Sequence, residues 1–341
     1  MNKITHTPKR KAVIVGTGLY APEKIVKNQY FNELYQKDID KFLRESRNIF
    51  ERHYMDPSQT TSDLIVPAAE AAMKNAGITA KDIDLIIVST DTPDYISPST
   101  ASVVQYKLNA ENAGTFDINT ACAGFVTALD IANKYICSDE RYQNILVVGA
   151  YGMSKYLNWE DFKIATLFAD GAGAAIVQPS RDPNTGILAS QLYTEGKYHD
   201  YMGIYGGGTY KPFSQEVLDK KDHLLNFAKK IPIETNGTHW PRLTHTLLDR
   251  TGRRVEDIKT FFLTQINIQS IHETLDKLGV DRSKSHNIMD RYGYTGSAAI
   301  GMAIADAAQQ KKLKKGDFIL LIGSGGGMSM AALAMDWGYD T

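Results

Sequence analysis

The strongest constraint on the fold is a pattern of strands and helices that occurs twice, once in each half of the chain. In the segment 77–83 a glycine stands five positions before Asp-Ile, and a strand-like apolar run follows at 85–88. The segment 252–258 repeats that spacing ahead of the apolar run 261–263. Repetition with a period near half the chain is typical of a duplicated domain and not of a solenoid.

The order of the matched elements continues beyond these segments. A helix that ends near Leu108 corresponds to one that ends near Leu278. Each is followed by a strand and then by a helix of small residues, over 116–132 and 287–308. Because α/β units all share a strand–glycine–helix order, chance similarity is the alternative explanation. The number of elements matched in order favours duplication.

Within each half, short apolar strands alternate with helices, which predicts a layered α/β fold. We place the boundary at residue 178, so the predicted halves are 1–178 and 179–341. In a two-fold duplication, the helices after Asn119 and after Tyr294 would both be central, and their N-terminal ends would meet. The elements expected in the first half are strands over 11–16, 84–89, 114–119, 144–149 and 172–178, and helices over 62–77, 99–108 and 124–136.

The composition narrows the class of protein. Of the 341 residues, 43% are hydrophobic and 23% are charged, and the net charge is −1. Such a chain can bury a sizeable core, and it carries no electrostatic footprint for nucleic acid or an anionic membrane. Its apolar runs are too short for a membrane-spanning helix. Two cysteines, Cys122 and Cys137, exclude a disulfide framework and a cysteine-rich zinc site, so we expect a cytoplasmic protein without a metal.

The strongest chemical signal is Cys122, which lies in the segment Asn-Thr-Ala-Cys-Ala-Gly-Phe at 119–125. This segment is predicted to turn from a strand into a helix, and unpaired N–H groups at a helix N-terminus favour a thiolate. The small neighbours leave room for a substrate. The alternative is a buried, inert cysteine, which is the commoner fate of an intracellular one. Cys137, at the far end of the same helix, fits that alternative better.

Two glycine-rich segments allow more than one interpretation. The segment 16–21 resembles the start of a dinucleotide fingerprint, but Pro22 follows it and no well-placed acidic residue ends a second strand, so a structural loop is favoured. The segment 323–327, Gly-Ser-Gly-Gly-Gly, follows a buried strand. It is either a tight turn or a source of backbone N–H donors for an oxyanion.

Taken together, these residues resemble the thiolase-fold condensing enzymes, specifically the β-ketoacyl-acyl-carrier-protein synthase III family. The resemblance runs nearly end to end and implies a duplicated thiolase-like αβαβα sandwich and a homodimer. The segments that carry it are Glu51-Arg52-His53, Thr60 to Asp63, the loop 91–99, the cysteine segment 117–125, Phe-Ala-Asp-Gly-Ala-Gly-Ala at 168–174, and the glycines 325–327.

The resemblance also implies four catalytic positions, and at two of them this sequence has a different residue from the family. Cys122 matches the acyl-accepting nucleophile, and Gly326 matches the second oxyanion donor. The family's catalytic histidine and asparagine, which promote decarboxylation, are replaced by Thr264 and Tyr294. Neither is a base near neutral pH. We therefore expect self-acylation to persist and decarboxylative condensation to be weakened, unless the two hydroxyl groups substitute as donors.

The substrate-binding positions implied by the resemblance are altered too. Asn267 ends the segment Thr-Gln-Ile-Asn, which stands where the family has His-Gln-Ala-Asn. Phe42 stands at the coenzyme A entrance in place of a frequent tryptophan, and Phe162 lies near a usual arginine. Ser97 falls where a bulky residue from the partner subunit often closes the acyl pocket, so a larger acyl group is expected here.

The sequence therefore predicts an acyltransferase of the synthase III type. It would accept an acyl group on Cys122 from a coenzyme A or carrier-protein thioester, without a cofactor, and pass it to a second substrate by Claisen condensation or acyl transfer. A specialised fatty acid or polyketide pathway is favoured over housekeeping initiation. The alternative is a non-catalytic, acyl-binding partner subunit in a heteromer with a homologue.

Overall fold

The computed structural model describes residues 10–341, so the predicted half 1–178 begins outside the described residues. Strands form wherever the sequence analysis placed them in the first half. Several run further than expected, because their buried pattern continues past the predicted end. The strands are β1 Lys11–Tyr20, β2 Lys24–Lys27, β3 Glu51–Tyr54, β4 Leu85–Ser89, β5 Gly114–Ile118, β6 Ile145–Gly152, β7 Asp170–Ser180, β8 Gly186–Thr194, β9 Thr260–Leu263, β10 Phe318–Gly325 and β11 Ser329–Asp336.

The predicted helices are confirmed to within two residues at each end. Ser99 caps one of them by accepting a hydrogen bond from the Ser102 N–H, and Gly77 ends another in the left-handed conformation. The α-helices are α1 Asn28–Tyr35, α2 Asp40–Phe42, α3 Thr61–Ala76, α4 Thr100–Leu108, α5 Gly124–Ser138, α6 Phe162–Ala165, α7 Gln215–Asp219, α8 Thr235–Thr251, α9 Ile268–Leu278, α10 Met289–Tyr292 and α11 Ala299–Gln309.

The two main sheets share one topology, which confirms the duplication. The first sheet has the strand order β1-β7-β6-β4-β5, and the second has the order β8-β11-β10-β9. In both, the first three strands are antiparallel neighbours and the later ones pair in parallel. The strands of the first sheet lie within residues 11–180, and those of the second lie within residues 186–336. The exact domain boundary at residue 178 stays a prediction.

Five layers stack around the two sheets, as the resemblance implied. Helices α3 and α4 cover the outer face of the first sheet, and α8 and α9 cover the second. Between the sheets lie α5 and α11, whose apolar side chains join both halves in one core. The turns that precede α5 and α11 contact each other. This places the segments around Cys122 and Tyr294 together at the centre, as predicted.

One predicted strand, near Asn287, is wrong. The segment forms only an isolated bridge between Ser285 and Phe261, and the helix α10 follows. The Gln265 side chain explains the difference: its Nε2 donates to the His286 carbonyl at 3.0 Å, and its Oε1 accepts from the Ile288 N–H at 2.7 Å. A side-chain amide thus satisfies the backbone groups that a fifth strand would have paired.

The glycines of the segment 16–21 have a structural role, but they lie in strand β1 and not in the loop favoured above. Gly18 lies within β1 against α3, where a Cβ atom would approach the Ala68 carbonyl oxygen to 2.2 Å. The strand and helix are therefore in backbone contact at this point. Across the described range 10–341, no helix is both long and apolar enough to cross a membrane.

Candidate active site

Cys122 lies in a short 3₁₀ turn, Ala121–Ala123, immediately before α5. Its side chain is 5% exposed. Ala121 adopts a φ of 46°, which is a costly conformation for a residue with a Cβ and marks a tightly held turn. Cys137 lies at the other end of α5, where its thiol contacts the Arg10 carbonyl at 3.2 Å. The sequence analysis expected Cys137 to be the buried cysteine, but Cys122 is buried and Cys137 is only partly so.

The glycine run at the end of β10 packs directly against the cysteine turn. A Cβ atom on Gly325 would lie 2.5 Å from the Cys122 backbone nitrogen, so only glycine fits there. Gly327 has a φ of 71°, and Gly326 lines the same cavity as Cys122. The run therefore makes both a tight turn and a wall of the site, and its role as a source of oxyanion donors stays a prediction.

The Cys122 thiol is protonated at neutral pH. Burial raises its pKa to about 12, and the negative charge of Asp91 acts in the same direction. A hydrogen bond with the Tyr294 hydroxyl opposes them. The expectation that the helix N-terminus favours a thiolate is therefore outweighed by desolvation in this site. Nucleophilic attack by Cys122 requires a group that accepts its proton.

Tyr294 is positioned by backbone pairing with the segment that precedes β7. Its N–H donates to the Leu167 carbonyl at 3.0 Å, and its carbonyl accepts from the Ala169 N–H at 2.9 Å. Its ring lies 5.5 Å from the ring of Phe168. Burial and the neighbouring Cys122 hold the pKa of the Tyr294 hydroxyl well above its usual value, so it acts as a hydrogen-bonding group and not as a base.

Thr264 follows β9 and ties it to β10. Its Oγ1 accepts from the Ser324 N–H at 2.8 Å and donates to the Ser324 carbonyl at 3.4 Å. The Thr264 hydroxyl is therefore engaged with the strand that carries the glycine run. Asn267 caps α9 by accepting from the Gln269 N–H at 3.1 Å.

Two cavities meet at Cys122. The inner cavity has a volume of about 340 Å³ and includes Asp91, Tyr151 and Gly326 in its walls. The second cavity, called the basic cavity here because of its cationic lining, has a volume of about 590 Å³. The predicted residues Thr264, Asn267 and Tyr294 line it. Four cationic side chains also line the basic cavity: Arg47, Lys163, Lys229 and Lys230. The thiol thus lies between a positively charged space and a smaller, partly polar one.

Three predicted residues do not line either cavity. Phe42 is 40% exposed, and its ring stacks against Arg47 at 5.5 Å, so it reaches the basic cavity only through that guanidinium group. Phe162 contacts Lys37, and its neighbour Lys163 lines the cavity instead. Ser97 lies on the exposed loop after β4. Its predicted role requires a second subunit and stays a prediction.

Several lining residues were missed by the sequence analysis. Asp91, directly after β4, lines the inner cavity, and a carboxylate at the carboxyl end of a central parallel strand was a usable signal. The segment 199–233 contributes to the walls beside Cys122, with Met202 lining both cavities and Lys229 and Lys230 lining the basic one. This segment is mostly irregular, and no periodic pattern identifies its contacts. Among residues 10–341, no cluster of His, Cys, Asp or Glu could hold a metal.

A duplicated five-layer sandwich with a buried cysteine before a central helix defines the thiolase-like condensing enzymes. Comparison with known proteins narrows this class. The family model for 3-oxoacyl-[acyl-carrier-protein] synthase III matches residues 116–196, and the model for the C-terminal part of that synthase matches residues 248–337. The chain belongs to the 3-oxoacyl-acyl-carrier-protein synthase III family, a family of acyl-transferring condensing enzymes.

Individual relatives match along nearly the whole chain. The β-ketoacyl-acyl-carrier-protein synthase III of Clostridium perfringens strain SM101 is 38% identical over 328 residues, which covers 94% of this chain and 98% of the relative. The crystal structure of 3-oxoacyl-acyl-carrier-protein synthase III from Aquifex aeolicus VF5 has a TM-score of 0.85 at 30% identity, covering 96% of this chain and all of that one. The priming β-ketosynthase of the R1128 polyketide pathway has a TM-score of 0.86 at 26% identity, covering 99% and 100%.

Proposed function

We propose that this chain transfers an acyl group from a coenzyme A or carrier-protein thioester to Cys122 and then to a second substrate. The observation that carries the proposal is the position of Cys122 between two cavities of different chemistry. One substrate can reach the thiol through the basic cavity while the acyl group occupies the inner one. Retention of a thiol at this point favours an enzyme over a non-catalytic partner subunit.

The basic cavity suits the carrier of the thioester. Coenzyme A and the phosphopantetheine arm of a carrier protein are both anionic at their phosphate groups. Arg47, Lys163, Lys229 and Lys230 supply positive charge along the cavity, and lysine and arginine are the usual side chains that bind phosphate. The proposed reaction uses an acyl thioester and an acyl-accepting substrate, and the proposal includes no cofactor.

The oxyanion that forms during acyl transfer would be held by backbone N–H groups of Cys122 and Gly326. Both residues lie in the wall of the inner cavity, and the glycine run is held there by Thr264. Backbone donors fixed in this way stabilise a developing charge without reorganisation. Thr264 thus contributes by positioning the run and not by replacing the family's histidine as a base.

The second step is either Claisen condensation with a malonyl thioester or transfer to another nucleophile. Tyr294 contacts Cys122 and can donate a hydrogen bond to a thioester oxygen, whereas Thr264 is engaged with Ser324. With the Tyr294 hydroxyl as the one donor beside the thiol, in place of a histidine and an asparagine, slow decarboxylation is expected. Slow decarboxylation favours a specialised pathway over housekeeping initiation of fatty acid synthesis. The acyl acceptor in that pathway is either a malonyl thioester or another nucleophile.

A homodimer is part of the proposal. Strand β5 lies at the edge of the first sheet, and edge strands are available for pairing with another chain. Tyr95, Ile96 and Tyr106, near this edge, are 56%, 80% and 78% exposed. A second copy that paired along β5 would cover these apolar side chains and bring the loop of Ser97 to its partner.

Turnover tests the proposed function. The wild-type protein is incubated with a series of acyl-coenzyme A thioesters, with and without malonyl-loaded carrier protein, and the release of free coenzyme A is measured. We expect release that depends on acyl-coenzyme A and is lost in Cys122→Ala. Release that persists in Cys122→Ala, or none from the wild type with any thioester, would contradict the proposal.

A further inference from the structure

A carboxylate shares the inner cavity with the reactive thiol. Asp91 follows β4 and lines the inner cavity together with Cys122. Its Oδ1 atom is shielded from solvent and has no hydrogen-bond partner within residues 10–341. A buried carboxylate oxygen without a partner is costly, and such costs are usually retained where a group acts on a ligand.

The backbone around Asp91 is held on both sides. The next residue, Thr92, accepts a hydrogen bond from Thr61 Oγ1 on its carbonyl at 2.6 Å and one from the Gly152 N–H on its Oγ1 at 2.8 Å. Asp91 is therefore fixed between α3 and β6 at the carboxyl end of the sheet. A carboxylate on a rigid strand end is positioned well for proton transfer.

The groups that face Asp91 leave it as the best proton acceptor for Cys122. Burial raises the pKa of Asp91 to about 6, so it is mostly ionised at neutral pH and still basic enough to accept a proton. The tyrosines around it have raised pKa values and remain protonated. The titratable groups that share its cavity or its charge field are Cys122, Tyr151, Tyr156, Tyr294, His199 and Tyr205.

We propose that Asp91 is the acid–base group of this active site and replaces the function that the family assigns to a histidine. The proposal rests on Cys122 being the acyl acceptor. As the Cys122 sulfur forms its bond to the thioester carbon, the thiol proton passes to the Asp91 carboxylate. When the carbon–sulfur bond of the donor thioester breaks, the departing thiolate takes that proton from Asp91 and leaves as a free thiol.

His199 is the competing acceptor, because it lines the same cavity. It differs from Asp91 in its surroundings. It lies on an exposed stretch after the turn Gly196–Tyr198, whereas Asp91 is held by the sheet. In addition, the charge of Asp91 contributes to the raised pKa of the Cys122 thiol. The experiment therefore includes both.

The test is single-turnover acylation of Cys122 by acetyl-coenzyme A and hexanoyl-coenzyme A, followed by intact mass from pH 4.5 to 9. Asp91→Asn should slow acylation by about 10²–10⁴-fold. In the wild type, the rate should rise with pH through about 6 as Asp91 ionises, and this limb should be absent in the variant. Asp91→Glu should restore part of the rate. Added formate should partly restore acylation in Asp91→Ala, because it supplies a carboxylate in place of the missing side chain.

Controls separate the alternatives. Asp170 is a second carboxylate whose pKa burial raises to about 6, but it lies outside both cavities and binds the Met55 and Ser154 N–H groups. Asp170→Asn should keep the limb near pH 6. His199→Asn should keep it as well, and its disappearance there would assign the role to histidine and overturn the proposal.

An Asp91→Asn rate and pH profile equal to the wild type would also overturn the proposal, while leaving Cys122 as the acyl acceptor. By contrast, a wild type that is never acylated would defeat the proposed function itself. If Asp91→Asn fails to fold, the profiles of the wild type, Asp91→Glu and His199→Asn decide the question.

Discussion

Near Cys122, the hydroxyl groups of Thr264 and Tyr294 stand where the resemblance places the family's histidine and asparagine, and the carboxylate of Asp91 lines the inner cavity. Tyr294 contacts the thiol, Thr264 holds the glycine run, and the charge of Asp91 acts on the thiol. Acylation of the thiol needs a proton acceptor, which Asp91 supplies, whereas decarboxylation needs donors to a thioester oxygen. The two half-reactions are therefore affected differently by these replacements.

The first prediction is that the wild-type protein decarboxylates malonyl thioesters slowly. We expect a rate below the range of about 1–10³ per second that is common for enzymes. The double variant Thr264→His, Tyr294→Asn should decarboxylate faster, because it restores the family's two donors. Carbon dioxide released from labelled malonyl thioester measures both rates. A wild-type rate within the common range would show that the present donors suffice.

Individual residues were predictable from the sequence to different degrees. Local motifs predicted Cys122 and the two substituted positions, Thr264 and Tyr294. In the structure all three residues line the basic cavity. Asp91 was not predicted, although its place at the carboxyl end of a central parallel strand was a usable signal. The sequence alone does not show that this strand end shares a cavity with Cys122. The raised pKa of Cys122 was missed as well, since burial of a thiol is a property of the packed core.

Among the elements, the turn before α5 and the glycine run after β10 form one unit. Gly323 and Gly325 allow the backbone of β10 to touch residues 121–123, and a Cβ on Gly323 would lie 2.6 Å from the Ala123 Cα. The repetition in the sequence predicted both elements but not their contact. Similarly, no strand forms near Asn287, because the Gln265 side chain hydrogen-bonds the backbone there. A periodic sequence pattern cannot show such a side-chain contact.

The second prediction concerns this contact between backbones. Gly325→Ala should push the cysteine turn away, because the new Cβ would meet the Cys122 nitrogen at 2.5 Å. Overpacking of this kind costs roughly 1–3 kcal/mol of folding stability, and acylation of Cys122 should slow as well. Gly196→Ala is the matched control, since nothing lies within 4 Å of its added Cβ. Thermal melting and acylation rates are compared, and equal effects of the two substitutions would contradict the account.

At the scale of the whole molecule, duplication creates the site. Each half supplies a sheet, a central helix and a strand end, and the reactive groups lie where the halves meet: Cys122 comes from the first half, and Thr264 and Tyr294 come from the second. The sequence predicted this arrangement because order and period survive divergence. It did not predict the contacts of the segment 199–233, which contributes to the walls of both cavities beside the thiol.

The third prediction belongs to the assembled dimer. Ser97, on the loop after β4, should project into the acyl pocket of the partner subunit. A serine leaves more space than a bulky residue, and each buried methylene contributes roughly 0.8 kcal/mol, or about fourfold in affinity. The wild type should therefore favour medium or long acyl chains over acetyl, and Ser97→Phe should shift the preference to short chains.

Acylation rates of Cys122 across a chain-length series measure this preference in both proteins. Mass determination by light scattering, run beside them, shows whether each protein is a dimer. An unchanged chain-length profile in a dimeric Ser97→Phe would show that this loop does not shape the pocket. In that case Tyr95 or Ile96, on the same exposed loop, would be the next residues to vary.

The central claim, that Cys122 carries the acyl group, is tested most directly by mapping the acyl adduct. The protein is incubated with an acyl-coenzyme A, its intact mass is measured, and the modified peptide is sequenced by mass spectrometry. The account predicts one added acyl group, located on Cys122, absent from Cys122→Ala and retained in Cys137→Ala. An adduct on Cys137, or one that persists in Cys122→Ala, would contradict it.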